Sequence, residues 1–455
     1  MDGSLADLIS RDVLVISLEC FLGRTDFNLH ENVEVMKATS NVEGFLSTVI
    51  RVKTSYNIEG EEVVNRKSLI FKMLPKESLS LENFNVREAF FKEAIFFEKA
   101  LPLIKESSAG NIKLPFPECY YVKYEGVNQA IVMEDLAQEG FQTPDRRFLS
   151  QGLDLAHCKL TMTCLGKLHG HLIAAEKSLP HGVGTWVDAL PPLVKEGLFY
   201  VAGDGELEAP AFGIVENGMK MVLELSDDIE GIPQQAKASG MLDKISKVLW
   251  SHVCKSVESD PEGPNVLSHG DFWTFNLMFK YADDGCGKQV PVDVKTIDFQ
   301  LTRYCHPCLD IVFILYSCTK KSLRDAHLES LLSTYHESLE ETLKNLGAGP
   351  LISFEKLRKD LWDRYRPFAV STGVCFAPLI LLGDDFLPPN ADDVTREKLE
   401  EILTTGNIAK VKEKFASDDT YKSEVEALIK EFIESRGVEV STSALISDSS
   451  KRKPA

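Results

Sequence analysis

Residues 46 to 56 read Leu-Ser-Thr-Val-Ile-Arg-Val-Lys-Thr-Ser-Tyr, a run rich in β-branched residues that turns at Asn57 to Gly60. A second apolar run, Ser-Leu-Ile-Phe-Lys-Met-Leu, fills 68 to 74 and stops at Pro75, which predicts an antiparallel meander. The period then becomes helical over 85 to 100, with Phe90, Phe91, Ala94, Ile95 and Phe97 forming the apolar side and Glu88, Lys92, Glu93 and Glu98 among them. Pro102 is expected to end that helix. Two short strands at 118–123 and 129–133 lead into Glu134-Asp135-Leu136. From about residue 150 the pattern is mostly helical, with Leu160, Cys164, Leu165, Leu168 and Leu172 at helical spacing and similar stretches at 240–258 and 320–346.

These elements predict an α+β chain of two lobes. An N-terminal helical leader at 1–40, carried by Leu5, Leu8, Ile9 and Val13, precedes a small lobe and hinge at 41–136. A larger helical lobe follows at 137–440, with an insertion between core elements at about 182–233, and the polar stretch 441–455 reads as a disordered tail.

Charge narrows the partners. Fifty Lys and Arg against 69 Asp and Glu leave −19, the wrong sign for a polyphosphate backbone or an anionic membrane, so no nucleic acid partner is expected. The acidic start and ten scattered cysteines fit a cytoplasmic chain with reduced thiols, and nothing calls for an obligate protein partner. Cys305-His306-Pro307-Cys308 has the spacing of half a zinc knuckle but lacks a second pair. Residues 367–383 carry no charge, yet they are short for a membrane span and contain Ser371, Thr372, Gly373 and Pro378, so a buried helix is expected.

The chemistry concentrates in Ser268-His269-Gly270-Asp271-Phe272-Trp273-Thr274-Phe275-Asn276 and in Ile297-Asp298-Phe299-Gln300. Turn residues at 282–288 let 277–281 and 294–297 pair as a hairpin, whose open end would bring Asn276 and Asp298 beside Asp271. Two carboxylates and an amide oxygen suit a hard cation such as Mg²⁺. That layout matches phosphoryl transfer, in which one Asp accepts the proton of an acceptor hydroxyl while an Asn and a second Asp hold metal against phosphates. Lys72, alone in an apolar strand, needs a charged partner. Glu93 is the natural one, with Glu88 and Glu98 as rivals.

The order His269-Gly270-Asp271-x-x-x-x-Asn276, Asp298-Phe299-Gln300 and Leu309-Asp310-Ile311 resembles the ecdysteroid kinase-like family, which is related to choline kinases and aminoglycoside phosphotransferases. The resemblance spans roughly residues 40 to 420 and implies a bilobal protein-kinase-like fold that phosphorylates a small-molecule hydroxyl with ATP and Mg²⁺. It implies Asp271 as catalytic base, Asn276 and Asp298 as metal ligands, Lys72 at the phosphates and Glu93 as its ion-pair partner. It also implies a hinge at Val132-Met133-Glu134-Asp135-Leu136, whose backbone would meet adenine near Glu134 and Leu136. Gln300 stands where protein kinases have glycine, and no G-x-G-x-x-G is present, Gly44 being the one candidate glycine, with Ser47 and Thr48 as hydroxyls.

Simpler roles compete at several positions. His269 is expected to orient the loop, Asp310 to bond loop backbone or cap a helix, and Trp273 to pack beneath the loop or stack on a ligand. His169 and His171, two apart on a helix, face different ways and suit core packing. The rival to an enzyme is a catalytically silent kinase-fold protein that binds a hydrophobic small molecule. A protein kinase is disfavoured, since no Ala-Pro-Glu-type segment follows Asp298.

Overall fold

A computed structural model describes residues 8–38, 47–74, 86–108, 113–126, 128–203, 208–230, 241–261, 263–386, 401 and 405–435. Leu5, Gly44 and the expected tail at 441–455 lie outside these residues.

The N-terminal sheet grows from two long strands, β3 (Thr48–Ile58) and β4 (Asn65–Met73), paired antiparallel from Thr48↔Met73 to Tyr56↔Asn65. Their period of two sorts side chains by face. Ile50, Val52, Tyr56 and Ile58 of β3 meet Leu69, Phe71 and Met73 of β4, and helix α1 (Arg11–Leu22) closes this core with Leu14 and Leu18. Lys72, out of step with that set, leaves by the other face. Among the described residues of the expected leader, α1 is the α-helix. After α1 come β1 (Phe27–Leu29) and β2 (Glu34–Lys37), which both pair with β3, because Phe27, Leu29, Val33 and Val35 alternate and pack onto the same core. Strands β5 (Cys119–Lys123) and β6 (Ala130–Glu134) complete the sheet, whose order is β1-β3-β4-β6-β5 with β2 beside β3.

Helix α2 (Val86–Ile95) packs under this sheet and passes through a π-turn at Phe96–Ala100 into α3 (Leu101–Ser107). Pro102 therefore does not end the helical run. It sits in the first turn of α3, where a missing N–H breaks no hydrogen bond.

The helical lobe is built around α4 (Leu155–Lys177), followed by α5 (Phe212–Leu225), α6 (Met241–Ser256), α7 (Cys308–Cys318), α8 (Lys321–Asn345) and α9 (Arg366–Ile380). The charge-free stretch at 367–383 becomes α9, buried against α7, and no helix among the described residues is long and apolar enough to cross a membrane. Within the stretch read as an insertion, α5 packs on α9 and α6, and Phe199 is buried among Trp250, Phe368 and Phe376. Small sheets complete the lobe: β7 (Phe141–Gln142) joins the hairpin of β9 (Leu277–Asp283) and β10 (Gln289–Thr296), while β8 (Val266–Ser268) pairs with β11 (Arg303–Cys305). The molecule is a bilobal kinase-like α+β fold.

The α4–α8 crossing sets the spacing of this lobe, and glycine permits it: a Cβ at Gly166 would lie 2.6 Å from Tyr335 O and 2.9 Å from Leu339 N. Backbone atoms cannot rotate away, so Gly166→Ala should cost about 2 kcal/mol or more in urea unfolding, where an unchanged midpoint would show that the helices can part.

Candidate functional site

The loop after β8 is held by its own side chains. Gly270 has φ +82° and a Cβ there would meet Leu301 O at 1.8 Å, so only glycine fits. His269 is fully buried; its Nε2 donates to Ile297 O (2.9 Å) and its Nδ1 accepts from Asp271 N (3.3 Å), which fixes the neutral tautomer protonated on Nε2. Burial also pushes the imidazolium pKa down against the opposing pull of Asp310, and the imidazole therefore orients the loop as a neutral strut.

Asp310, inside the first turn of α7, accepts from the backbone N–H groups of His269 (2.8 Å) and Gly270 (3.0 Å). Its Oδ2 also meets His169 Nε2 at 3.1 Å, and His169 Nδ1 lies 2.8 Å from the Tyr335 hydroxyl. Pro307 takes the N-cap position, so the loop-anchoring alternative holds for Asp310. His171 bonds Ser108 Oγ instead, confirming that the two histidines face apart.

Asn276 Nδ2 donates to Asp271 O (2.8 Å) and to Asp271 Oδ2 (2.9 Å), while Asn276 O accepts from Ile297 N (2.9 Å) and Thr296 Oγ1 (3.0 Å). The hairpin register, Leu277↔Thr296, thus brings Asn276 and Asp298 to one end, as its turn chemistry predicts. Asp298 adopts φ +71°, a left-handed conformation that costs an L residue roughly 1–2 kcal/mol. The next residue holds it there: Phe299 is fully buried, stacked on Phe96 (centroids 3.9 Å apart) and flanked edge-on by Phe97 and Phe116.

Lys72 Nζ lies 2.5 Å from Glu93 Oε2 and 3.0 Å from Asp298 Oδ1. Glu93 is fully buried on α2, whereas Glu88 pairs with Lys195 and Glu98 with Lys99 and the Tyr124 hydroxyl. Burial works against the Lys72 ammonium, but Asp298 and Glu93 outweigh it and hold its pKa above the ordinary value. Asp271 behaves oppositely: burial, with Asp298 adding to it, pushes the carboxyl up to about 7 against Asn276 and Arg303.

The Asp271 and Asp298 carboxylates repel each other, which a dication near them would relieve, and an all-oxygen set suits Mg²⁺ better than a softer metal. The Cys305-x-x-Cys308 pair is used differently: Cys305 Sγ bonds Ser268 Oγ and Cys308 Sγ bonds Leu357 O.

At the hinge, Glu134 N donates to Glu118 O, and the Glu134 carboxylate is taken by buried Lys295 at 3.0 Å. Leu136 is buried and opens a short 3₁₀ turn. Asp135 receives Arg51 Nε (2.7 Å) and Ser68 Oγ (2.5 Å), tying the hinge to β3 and β4. Lys295 was missed, although one charge inside Val294-Lys295-Thr296-Ile297 is the signal that singled out Lys72. Arg303, which bonds Gly270 O (3.1 Å) and Glu196 (2.8 Å), carries no such signal. Trp273 packs edge-on against Phe275 in a cluster with Leu149 and Ile380.

Burial alone would raise the Asp310 carboxyl, but His169, His269 and Gly270 N–H outweigh it and hold its pKa below the ordinary value. A depressed folded pKa stabilises above the unfolded value and loses that contribution as pH falls through the folded one. Asp310→Asn should therefore cost about 3 kcal/mol at pH 7, with the gap to wild type closing below about pH 4 in urea titrations; a gap independent of pH would show that charge is not what Asp310 supplies.

No curated protein matches the chain at a significant level. A model of the ecdysteroid kinase-like family matches residues 41–348, more than half of the chain. That span holds the buried Lys72–Glu93 pair, the loop fixed by His269 and Asp310, and the hairpin that joins Asn276 to Asp298, and on this ground the chain belongs to the ecdysteroid kinase-like family.

Proposed function

We propose that the protein is a small-molecule kinase that transfers the γ-phosphoryl of ATP to a hydroxyl of a small acceptor, with an ecdysteroid or similar alcohol as the acceptor class that family membership favours. The observation that carries the reading is the convergence of Asp271, Asn276 and Asp298 beside a buried, charged Lys72. Each group then has one task. Asp271 accepts the acceptor's hydroxyl proton as that oxygen bonds to phosphorus and ADP leaves. Its raised pKa suits this, since a stronger base accepts the proton more readily. Lys72, oriented by Glu93, binds the nucleotide phosphates, and the main chain of the Glu134 to Leu136 turn meets adenine.

Asn276 Nδ2 is spent on Asp271, and its amide oxygen together with Asp298 would hold Mg²⁺. Mg²⁺ held there supplies neutralisation of the phosphate charge. Residues 41–136 with the strands before them form the nucleotide lobe in this reading, and the acceptor is held by 137–440. No protein substrate or nucleic acid is required, and the acidic chain is taken to work in the cytoplasm.

Mg²⁺-dependent ATP turnover against a panel of ecdysteroids, choline, ethanolamine and other small alcohols tests the proposal. Asp271→Asn should lower turnover by about 10²-fold or more while nucleotide binding persists. Lys72→Met should instead weaken ATP binding itself, by about tenfold or more, since the phosphates lose a charge-assisted partner. A wild type that binds neither ATP nor Mg²⁺ in calorimetry would remove the enzyme reading and leave a silent binder of small molecules.

A further inference from the structure

Lys92 precedes Glu93 on α2 and is also buried, yet among the described residues it faces no carboxylate at hydrogen-bonding distance. Its Nζ donates to two backbone carbonyls from separate parts of the helical lobe, Lys195 O (2.5 Å) and Thr302 O (2.6 Å). One turn earlier on the same face, Glu88 Oε1 takes Lys195 Nζ at 2.6 Å. The two anchored segments are themselves joined: Thr302 Oγ1 donates to Leu193 O (2.9 Å), and Arg303 bridges Glu196 to Gly270 O. One connected set of bonds therefore runs from α2 through 193–196 and 302–303 to the loop that carries Asp271.

We propose that Lys92 is a positioning residue for the site, clamping α2 onto the helical lobe so that Glu93 is held against Lys72 and the nucleotide lobe is fixed in register with Asp271. The inference rests on the function proposed above. Carbonyl acceptors make the clamp stiff, because a carboxylate side chain can follow a moving ammonium whereas a main-chain oxygen moves only with its backbone. Adjacent helical residues lie about 100° apart, so the lobe-facing Lys92 and the sheet-facing Glu93 grip α2 from two directions. Burial pushes the Lys92 pKa down to about 8 against the pull of Glu196, and the ammonium remains mostly protonated at neutral pH.

The test uses the full chain as wild type, Lys92→Met, which keeps the apolar stem, and Lys92→Gln, which keeps one neutral donor. Hydrogen exchange of peptides from α2, α4 and α8 is measured beside calorimetric affinity for Mg²⁺ with a non-hydrolysable ATP analogue. Lys92→Met should speed exchange in α2 by about tenfold while α4 and α8 stay protected, and should weaken nucleotide binding by about as much, with Lys92→Gln between it and wild type.

Equal loss of protection in all three helices, or unchanged α2 exchange and affinity, would overturn the clamp and leave Lys92 a fold-supporting residue. If Lys92→Met does not fold, Lys92→Gln carries the test with the same directions. If the wild type binds no nucleotide, the proposed function fails, and the exchange measurement alone still decides whether Lys92 holds α2.

Discussion

A buried ammonium must have partners, and Lys72 finds two from elements far apart in sequence, Glu93 on α2 and Asp298 after β10. Removing one member of such a set leaves an uncompensated charge and costs roughly 3–5 kcal/mol, more than most single contacts supply. The chain is therefore obliged to keep β4, α2 and the end of the hairpin together. The arrangement follows from the period of two in β4, which sends Phe71 and Met73 into the sheet's own core and Lys72 out of its other face. What looks like a local feature of one strand decides how the two lobes meet.

The aromatic cluster around Phe299 supports the same geometry without charge. Phe96 and Phe97, in the π-turn that follows α2, and Phe116 enclose the ring next to Asp298. A π-turn adds a residue to the helical repeat, which rotates the apolar positions after it toward a new neighbour. Here the rotation lets one helical run serve two surfaces: Glu93 addresses Lys72, and Phe96 addresses Phe299. The left-handed backbone of Asp298 is affordable because the side chain that follows it is so firmly buried.

Much of this was legible in the sequence because the signals were local. Strand periodicity located β3, β4, β5 and β6, turn residues located the hairpin, and the spacing from Asp271 to Asn276 located the loop. Glu93 was the natural partner of Lys72 in sequence, but its rivals Glu88 and Glu98 fell away only in three dimensions, where Glu93 alone of the three is fully buried. Arg303, Glu196 and Lys92 were illegible for a related reason: they bond to main-chain oxygens or to each other across long sequence distances, and neither leaves a pattern in residue types. Strands β1 and β2 were hidden by brevity, and Pro102 misled because a proline in the first turn of a new helix reads like one that ends the old.

Three carboxylates of the site, of which Asp310 alone is fully buried, meet different neighbours. Asp310 is surrounded by donors, two backbone N–H groups and His169, which favour its ionised form and make it a fixed anchor. Desolvation of the Asp271 carboxyl, with the negative Asp298 adding to it, raises its affinity for a proton. Asp298 shares its charge with Lys72 and keeps its second oxygen free of that pair. In the proposed mechanism an anchor must not change protonation state, whereas a proton acceptor must be able to. The surroundings of Asp310 and Asp271 meet those separate demands before any ligand arrives.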